Sequence, residues 1–414
     1  MQKNKEHRRV VVTGMGAVTP IGTTVDDFWA SMREAKVGVG ELGGFPLEDL
    51  KILIAAQIND FDKKEKLKDF KRDKIIQHAD RYSWFAGAAA QEAVQQAGLE
   101  VPFTDPYRAA CIIGSGAGGL VTFEKAYRDL FIENKRATHP LTLLRIIGSS
   151  ACSHVGIEMG IKGPTFGTCS ACSTATHAMG IGLDYIRNGM VDVALVGAAE
   201  SVINYGTMKA WQALHVLSPQ GCFPFAKKRN GTVLGEGAGI LVLEDLEHAQ
   251  KRGATILAEL VGFGMASDSK DMVKPTVEGP AHAMTAALND AGLKPEQIDY
   301  LNAHGTATAD NDRNETAAIK EVFGDYAYKL AISSTKSMHG HPLGAGGGIE
   351  ATACIKAMQE NWAPPTANLD EPSEDCDLDY IPNVGRDMDI TYTMSNSFAF
   401  GGLNAVVIFG PPPA

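Results

Sequence analysis

"GTVLGEGAGILVLE" at residues 231–244 and "SNSFAFGGLNAVVIF" at residues 395–409 each run from a glycine turn into an apolar strand, and their likeness decides how the fold is read. Such an echo within one chain is the mark of a duplicated unit. Ahead of the first copy, "RRVVVTG" (8–14), "AACIIGSG" (109–116) and "VDVALVG" (191–197) are short apolar runs, separated by helix-like segments starting near Val25 and Cys172. Past Arg252 and Gly253 the alternation restarts: "ILAELVG", "YLNAHG" and "KLAISST" are spaced by helical segments near 281–291, 314–322 and 346–358. Strand and helix signals in turn predict an α/β fold, divided into halves 1–252 and 253–414. Strands this continuously apolar predict sheets covered by helices on both faces. Thr24, ahead of Val25-Asp26-Asp27, reads as the cap of the first helix.

A chain of 414 residues, 44% hydrophobic, has material for a large core. Its net charge of −11 argues against a nucleic-acid binder, which needs clustered positive surface. Seven cysteines over this length do not form a disulfide framework. The polar start "MQKNKEHRR" leads straight into Val10, with no apolar stretch long enough for export or membrane crossing, so the expectation is a cytoplasmic protein without a membrane partner.

Two local signals carry chemistry. "GSGAGG" at 114–119 has the G-x-G-x-x-G spacing after an apolar strand, but a dinucleotide site needs a second strand ending in an acid about 20 residues on, and "ENKRATHP" offers none. The glycines serve a tight turn equally well. The second signal is "FGTCSACSTATHAMG" at 166–180. Cys169 and Cys172 could be metal ligands, a redox pair, small core residues, or a nucleophile and its neighbour. No second Cys or His pair stands at zinc spacing, so no metal is expected. Cys172 falls where a helix begins, and free N–H groups and the positive helix end there favour a thiolate. His177, five positions on and about 140° around that helix, is poorly placed as its base.

With "GPTFGTCSAC" at 163–172, three further stretches fit together: "NAHGTATAD" (302–310), "SSTKSMHGHPLGAGGGIEA" (333–351) and "SNSFAFGGLN" (395–404). In this order they resemble the elongating β-ketoacyl-acyl-carrier-protein synthases of thiolase fold, over nearly the whole chain. The resemblance implies a duplicated five-layer α/β/α/β/α architecture and a decarboxylative condensation of acyl and malonyl thioesters. It makes Cys172 the acyl-accepting nucleophile, His304 and His341 the paired histidines, and Lys336 their charged companion, with Glu350 as the partner of Lys336. Phe400 becomes a gate whose backbone N–H joins that of Cys172 in an oxyanion hole, Gly401 and Gly402 its hinge, and Thr306 and Thr308 contacts to the pantetheine arm. No cofactor is implied beyond the phosphopantetheine carried by the substrates. The implied partners are an acyl carrier protein and a second ketosynthase-like chain, in a homodimer or heterodimer. A non-catalytic, chain-length-determining subunit of the same fold is the alternative, but such subunits lack the nucleophile.

Several positions depart from that family's pattern. Ala117 and Thr142 stand where bulkier residues line the acyl pocket, which predicts room for longer, unsaturated or polyketide-like chains. Ala399 and Leu403 flank the gate where glycine and threonine are common. Val273 and Lys274 replace small hydroxyl residues in "SDSKDMVKP", and Ala226 and Asn230 replace aspartates in "PFAKKRNG". The lysine-rich segment 63–74 would steer an acidic carrier, although Gln77 and His78 replace a basic pair. These departures suggest a specialised pathway.

Overall fold

Each half of the chain supplies five strands to one ten-stranded sheet. They are β1 (Val10–Val18), β2 (Ala109–Gly114), β3 (Thr165–Phe166), β4 (Val193–Glu200) and β5 (Gly237–Asp245), then β6 (Ala258–Ser267), β7 (Tyr300–Asn302), β8 (Ala331–Ser333), β9 (Thr393–Ala399) and β10 (Leu403–Gly410). The computed structural model describes residues 7–413. Residues 1–6, on which part of the leaderless reading rests, lie outside the described residues, as does residue 414.

The strands join in the order β8-β7-β9-β10-β6-β1-β5-β4-β2-β3. From the centre outward, both halves read first, fifth, fourth, second and third strand. The directions match as well. Strands β5 on β1 and β4 on β5 are antiparallel, then β2 and β3 follow in parallel. Strands β10 on β6 and β9 on β10 are antiparallel, then β7 and β8 follow in parallel. The duplication seen in two glycine-to-strand endings therefore extends to the whole topology. The halves meet along a short antiparallel ladder, Val11 opposite Glu259 and Val12 opposite Ala258.

The helices used below are α1 (Val25–Arg33), α2 (Arg81–Ala97), α3 (Leu120–Tyr127), α4 (Ser150–Met159), α5 (Thr174–Arg187), α6 (Tyr205–Ala213), α7 (Glu278–Ala291), α8 (Ala309–Phe323) and α9 (Gly346–Glu360). Helices α2 and α4 cover the outside of the first half, and α7 and α8 the outside of the second. Between the two half-sheets lie α5 and α9, each packed on strands of both. Five layers result. The central layer is thin enough to work only because backbones touch: a Cβ on Gly348 would stand 2.2 Å from the Gly239 carbonyl oxygen, and one on Gly347 2.2 Å from Thr176 Oγ1.

Thr24 caps α1 by accepting from the Asp27 N–H, as its spacing predicted. The long helix α2 has no counterpart among the sequence expectations. Eleven of its seventeen residues are buried, six of them alanines, whose small side chains contrast weakly with the polar stripe of Arg81, Gln91, Glu92, Gln95 and Gln96. Its ends are legible in retrospect, with Asp80 as N-cap and Gly98 in the left-handed conformation as C-cap. No helix among the described residues is long and apolar enough to cross a membrane.

Candidate active site

Cys172 sits in a single tight turn, Ala171–Ser173, that feeds α5. Ala171 takes φ of 47°, a left-handed value uncommon for a residue with a side chain. Local bonds hold the strain: Thr174 Oγ1 accepts from the Ser170 N–H at 2.9 Å and donates to the Ala171 carbonyl at 2.7 Å. A staple reaches across the duplication, because Ser173 Oγ lies 2.8 Å from the carbonyl oxygen of Ser397 and 2.6 Å from that of Leu403. The nucleophile turn of the first half is thus fixed to the last two strands of the second.

The histidines come from the second half. His304 follows β7, and the N–H groups of His304 and Gly305 both donate to the Glu315 carboxylate on α8 at 2.8 Å. Asn396 Nδ2 donates to the same carboxylate at 3.1 Å. His341 is held by its backbone, donating to the Val233 carbonyl at 2.7 Å and accepting from the Gly235 N–H at 2.9 Å. These anchors place His341 Nε2 at 3.0 Å from Cys172 Sγ. The two imidazole rings meet edge to face with centroids 5.3 Å apart. One donor atom from each of Cys172, His304 and His341 lies within 4.8 Å of the others.

Burial sets the protonation of this cluster. Desolvation pushes the Cys172 thiol up to about 12, against the pull of the Lys336 charge and the Phe400 N–H. That corrects the expectation of a thiolate held by the helix end: α5 begins at Thr174, two residues beyond the sulfur, and loss of water outweighs the amides. Desolvation first, and Lys336 second, hold both histidines well below the ordinary imidazole value. The resting site therefore pairs a neutral thiol with neutral rings. Cysteine and two histidines are also zinc-type ligands, yet the positive potential that depresses the rings opposes a dication as well.

Lys336 is fully buried and donates to Glu350, also fully buried, on α9. Phe400 follows β9; its ring stacks on Trp211 of α6, with centroids 5.6 Å apart and planes 25° apart. Gly401 donates its N–H to the Met272 carbonyl at 2.9 Å, and Gly402, at φ of 69°, leaves no room for a Cβ, which would stand 2.5 Å from Asp268 Cβ. A cavity of about 450 Å³ runs down to Cys172, His304 and His341, lined by Phe400, Thr306, Thr308 and the 271–275 loop. The two threonine hydroxyls lie 2.9 Å apart.

Other expected site residues stand elsewhere. Ala117 and Thr142 do not line this cavity: Ala117 is exposed and Thr142 opens a short helix (Thr142–Ile146) on the outer side of the glycine turn. The apolar wall beside Cys172 is built instead from Val202, Ile203, Met208 and Leu343, with Leu120 packed against it. "GSGAGG" wraps a protein carboxylate rather than a phosphate. Glu200, at the end of β4, accepts from Ser115 Oγ and the Gly116 N–H, both at 2.8 Å, and from the Gly344 N–H at 3.1 Å. His177 bonds Ser170 Oγ at 2.8 Å and is structural, while Cys169 is exposed with its sulfur 3.6 Å from the Gly116 carbonyl. In the basic segment only a four-residue helix forms (Lys63–Lys66), and Lys63, Lys66 and Arg72 are tied to backbone carbonyls.

Sequence reasoning passed over Glu200, Glu315, Asp312 and Trp211. The first ends an apolar strand in a lone acid. Asp312 and Glu315 lie three apart on the first turns of α8, both buried and both accepting from the loop that carries His304. That spacing puts two carboxylates on one helix face, a signal present in "ADNDRNE" but not used.

The family descriptions "Beta-ketoacyl synthase, N-terminal domain" and "Beta-ketoacyl synthase, C-terminal domain" match residues 7–249 and 257–370. Nodulation protein E of Rhizobium meliloti (strain 1021) is 46% identical over 403 residues, 97% of this chain and 99% of that protein. The 3-oxoacyl-[acyl-carrier-protein] synthase 2 of Coxiella burnetii (strain RSA 493 / Nine Mile phase I) is 42% identical over 411 residues, 97% of this chain and 98% of that protein. Among solved structures, the ishigamide ketosynthase/chain length factor superposes with a TM-score of 0.93 at 34% identity, covering 98% of this chain and all of that one.

Proposed function

This chain belongs to the β-ketoacyl synthase family and is an acyltransferase of the 3-oxoacyl-acyl-carrier-protein synthase type, and on that premise we propose how its own residues share the work. The carrying observation is the sulfur of Cys172 at 3.0 Å from His341 Nε2, with His304 beside them at the floor of one cavity.

In the first step the Cys172 sulfur bonds to the acyl carbonyl carbon and the carrier's sulfur leaves. The thiol proton passes through His341 to the departing thiolate, so a thiol raised to about 12 at rest ionises only as it attacks. The N–H groups of Cys172 and Phe400 receive the oxyanion. In the second step malonyl thioester enters, its carboxylate leaves as CO2, and the electron pair of the broken C–C bond becomes an enolate. Neutral imidazoles each retain an N–H to donate to that oxygen, and burial first, with the Lys336 charge second, keeps them neutral. In the third step the enolate carbon attacks the acyl carbonyl, a C–C bond forms, the C–S bond to Cys172 breaks, and the thiolate takes one proton from solvent by way of His341, the proton that the overall reaction consumes. The chain grows by two carbons. No cofactor enters beyond the phosphopantetheine of the substrates, and the carrier, a second ketosynthase-like chain and the cytoplasm complete the proposed setting. The chain-length-determining alternative is disfavoured because the sulfur faces both rings.

The acyl group is proposed to be long, unsaturated or otherwise specialised. Support comes from the small Ala117 in the glycine turn, which packs against the nucleophile turn: a Cβ on neighbouring Gly116 would lie 3.6 Å from the Ala171 carbonyl oxygen. A relative named for nodulation fits a specialised pathway. With acyl carriers of increasing length and malonyl carrier, release of CO2 and formation of 3-oxoacyl product should persist beyond medium chains. A sharp loss of turnover there would refute the length proposal, and absence of product at every length would refute condensation itself.

A further inference from the structure

The cavity leading to Cys172 is lined by one lysine and no arginine among the described residues: Lys274. The floor residues Cys172, His304 and His341 are buried, whereas Asp271, Met272, Lys274 and Asp310 are exposed, so Lys274 stands at the mouth. The acids around it are already engaged. Asp310 pairs with Arg313 at 2.7 Å. Asp268 accepts from Asn404 Nδ2 at 2.7 Å and from the Thr276 N–H at 2.9 Å. Asp271 turns one oxygen back onto the N–H groups of Val273 and Lys274, at 2.8 and 2.9 Å. The Lys274 ammonium makes no ion pair with a described carboxylate.

A thioester delivered on a pantetheine arm has one charged group along the arm, the phosphate at its outer end; the rest is amide and hydroxyl. Inside the cavity the polar side chains offered to that neutral stretch include Thr306, Thr308, Thr232, Asn230 and Asn311. At the mouth, Arg313 is already paired with Asp310, so among the described residues lining the cavity Lys274 is the unpaired cation that meets an anion, in a chain of net charge −11 that otherwise repels one. We propose that Lys274 is the phosphate-recognising residue of this site, selecting substrates whose pantetheine arm ends in a phosphate. The proposal deepens the function above and rests on it. It also ties recognition to the gate, since the Gly401 N–H is bonded to Met272, two residues before Lys274.

The test compares malonyl-pantetheine, malonyl-phosphopantetheine and malonyl carrier, read by CO2 release in wild type, Lys274→Ala and Lys274→Glu. An exposed charge pair is worth little, so the expected rise in KM is about threefold for Lys274→Ala and about tenfold for Lys274→Glu with the two phosphate-bearing substrates, fading at high salt. With malonyl-pantetheine KM should stay within about twofold. Equal changes with all three substrates, or none with any, would overturn the proposal. A change confined to the carrier would also overturn it, since Lys274 would then be touching the carrier's surface. Failure of the function reading would appear differently, as no CO2 from any substrate with the unaltered chain.

Discussion

Replacing His304 or His341 by alanine is expected to lower 3-oxoacyl product formation by about 10²–10³, the usual cost of one donor to a developing oxyanion. The two variants should differ in the half-reaction before it. His341 touches the Cys172 sulfur at 3.0 Å, whereas His304 reaches it only as the neighbouring ring. His341→Ala should therefore slow release of free carrier thiol on acylation as well, and His304→Ala should leave that release near wild type while losing CO2 release. Ring titration carries a second readout. Because burial and Lys336 hold both imidazoles well below the ordinary value, acidification through about 6.5 should leave them neutral, read from their ring signals in NMR rather than from the rate, since the buried Glu200 and Asp312 carboxyls are themselves raised to about 7. Unchanged condensation in His304→Ala would contradict the donor role, and protonation of either ring near 6.5 would contradict the electrostatics.

Lys336→Ala is expected to cost about 3–5 kcal/mol in chemical denaturation, because it strands the Glu350 carboxylate without its cation inside the protein. Glu350 is fully buried and already raised by desolvation, with the Lys336 charge opposing that rise. Removing both charges in Lys336→Met with Glu350→Gln should recover most of the stability, since a matched neutral pair carries no uncompensated charge. It should not recover the activity profile. Without the ammonium the histidines lose the second-largest of the causes that depress them, after desolvation, and an acid limb should move toward neutrality in the pH profile of condensation. A double variant with restored stability and an unaltered profile would show that the ion pair is structural only.

Much of this was legible in the sequence where the chemistry demands particular residue types. Cys172, His304, Lys336, His341 and Glu350 stood out in three motifs, and the structure draws them together from both halves. The duplication was legible as well, in two glycine turns entering apolar strands. Helix α2 was not, because its buried face is built largely of alanines, which contrast weakly with the polar face opposite. Glu200 and Glu315 were missed for a related reason. Both act by accepting backbone N–H groups, which carry no side-chain signature: Glu200 from loops 84 and 144 residues away, Glu315 from the nearby His304 loop, where only the spacing of Asp312 and Glu315 hinted at it. The thiolate expectation failed because a helix start is a local feature, whereas desolvation is set by every element packed around the sulfur. Ala117 and Thr142 could be placed on a shared pocket only by resemblance, and in the single chain they lie beyond the glycine turn.

The most direct measurement is fragmentation mass spectrometry of the protein after incubation with an acyl carrier. Cleavage after Lys162 and Arg187 leaves Cys169 and Cys172 on one peptide, so the fragment ions between them decide the position. The account predicts the acyl mass on Cys172, none on Cys169, and none anywhere in Cys172→Ala. An acyl group on Cys169, or product formed at the wild-type rate by Cys172→Ala, would contradict it.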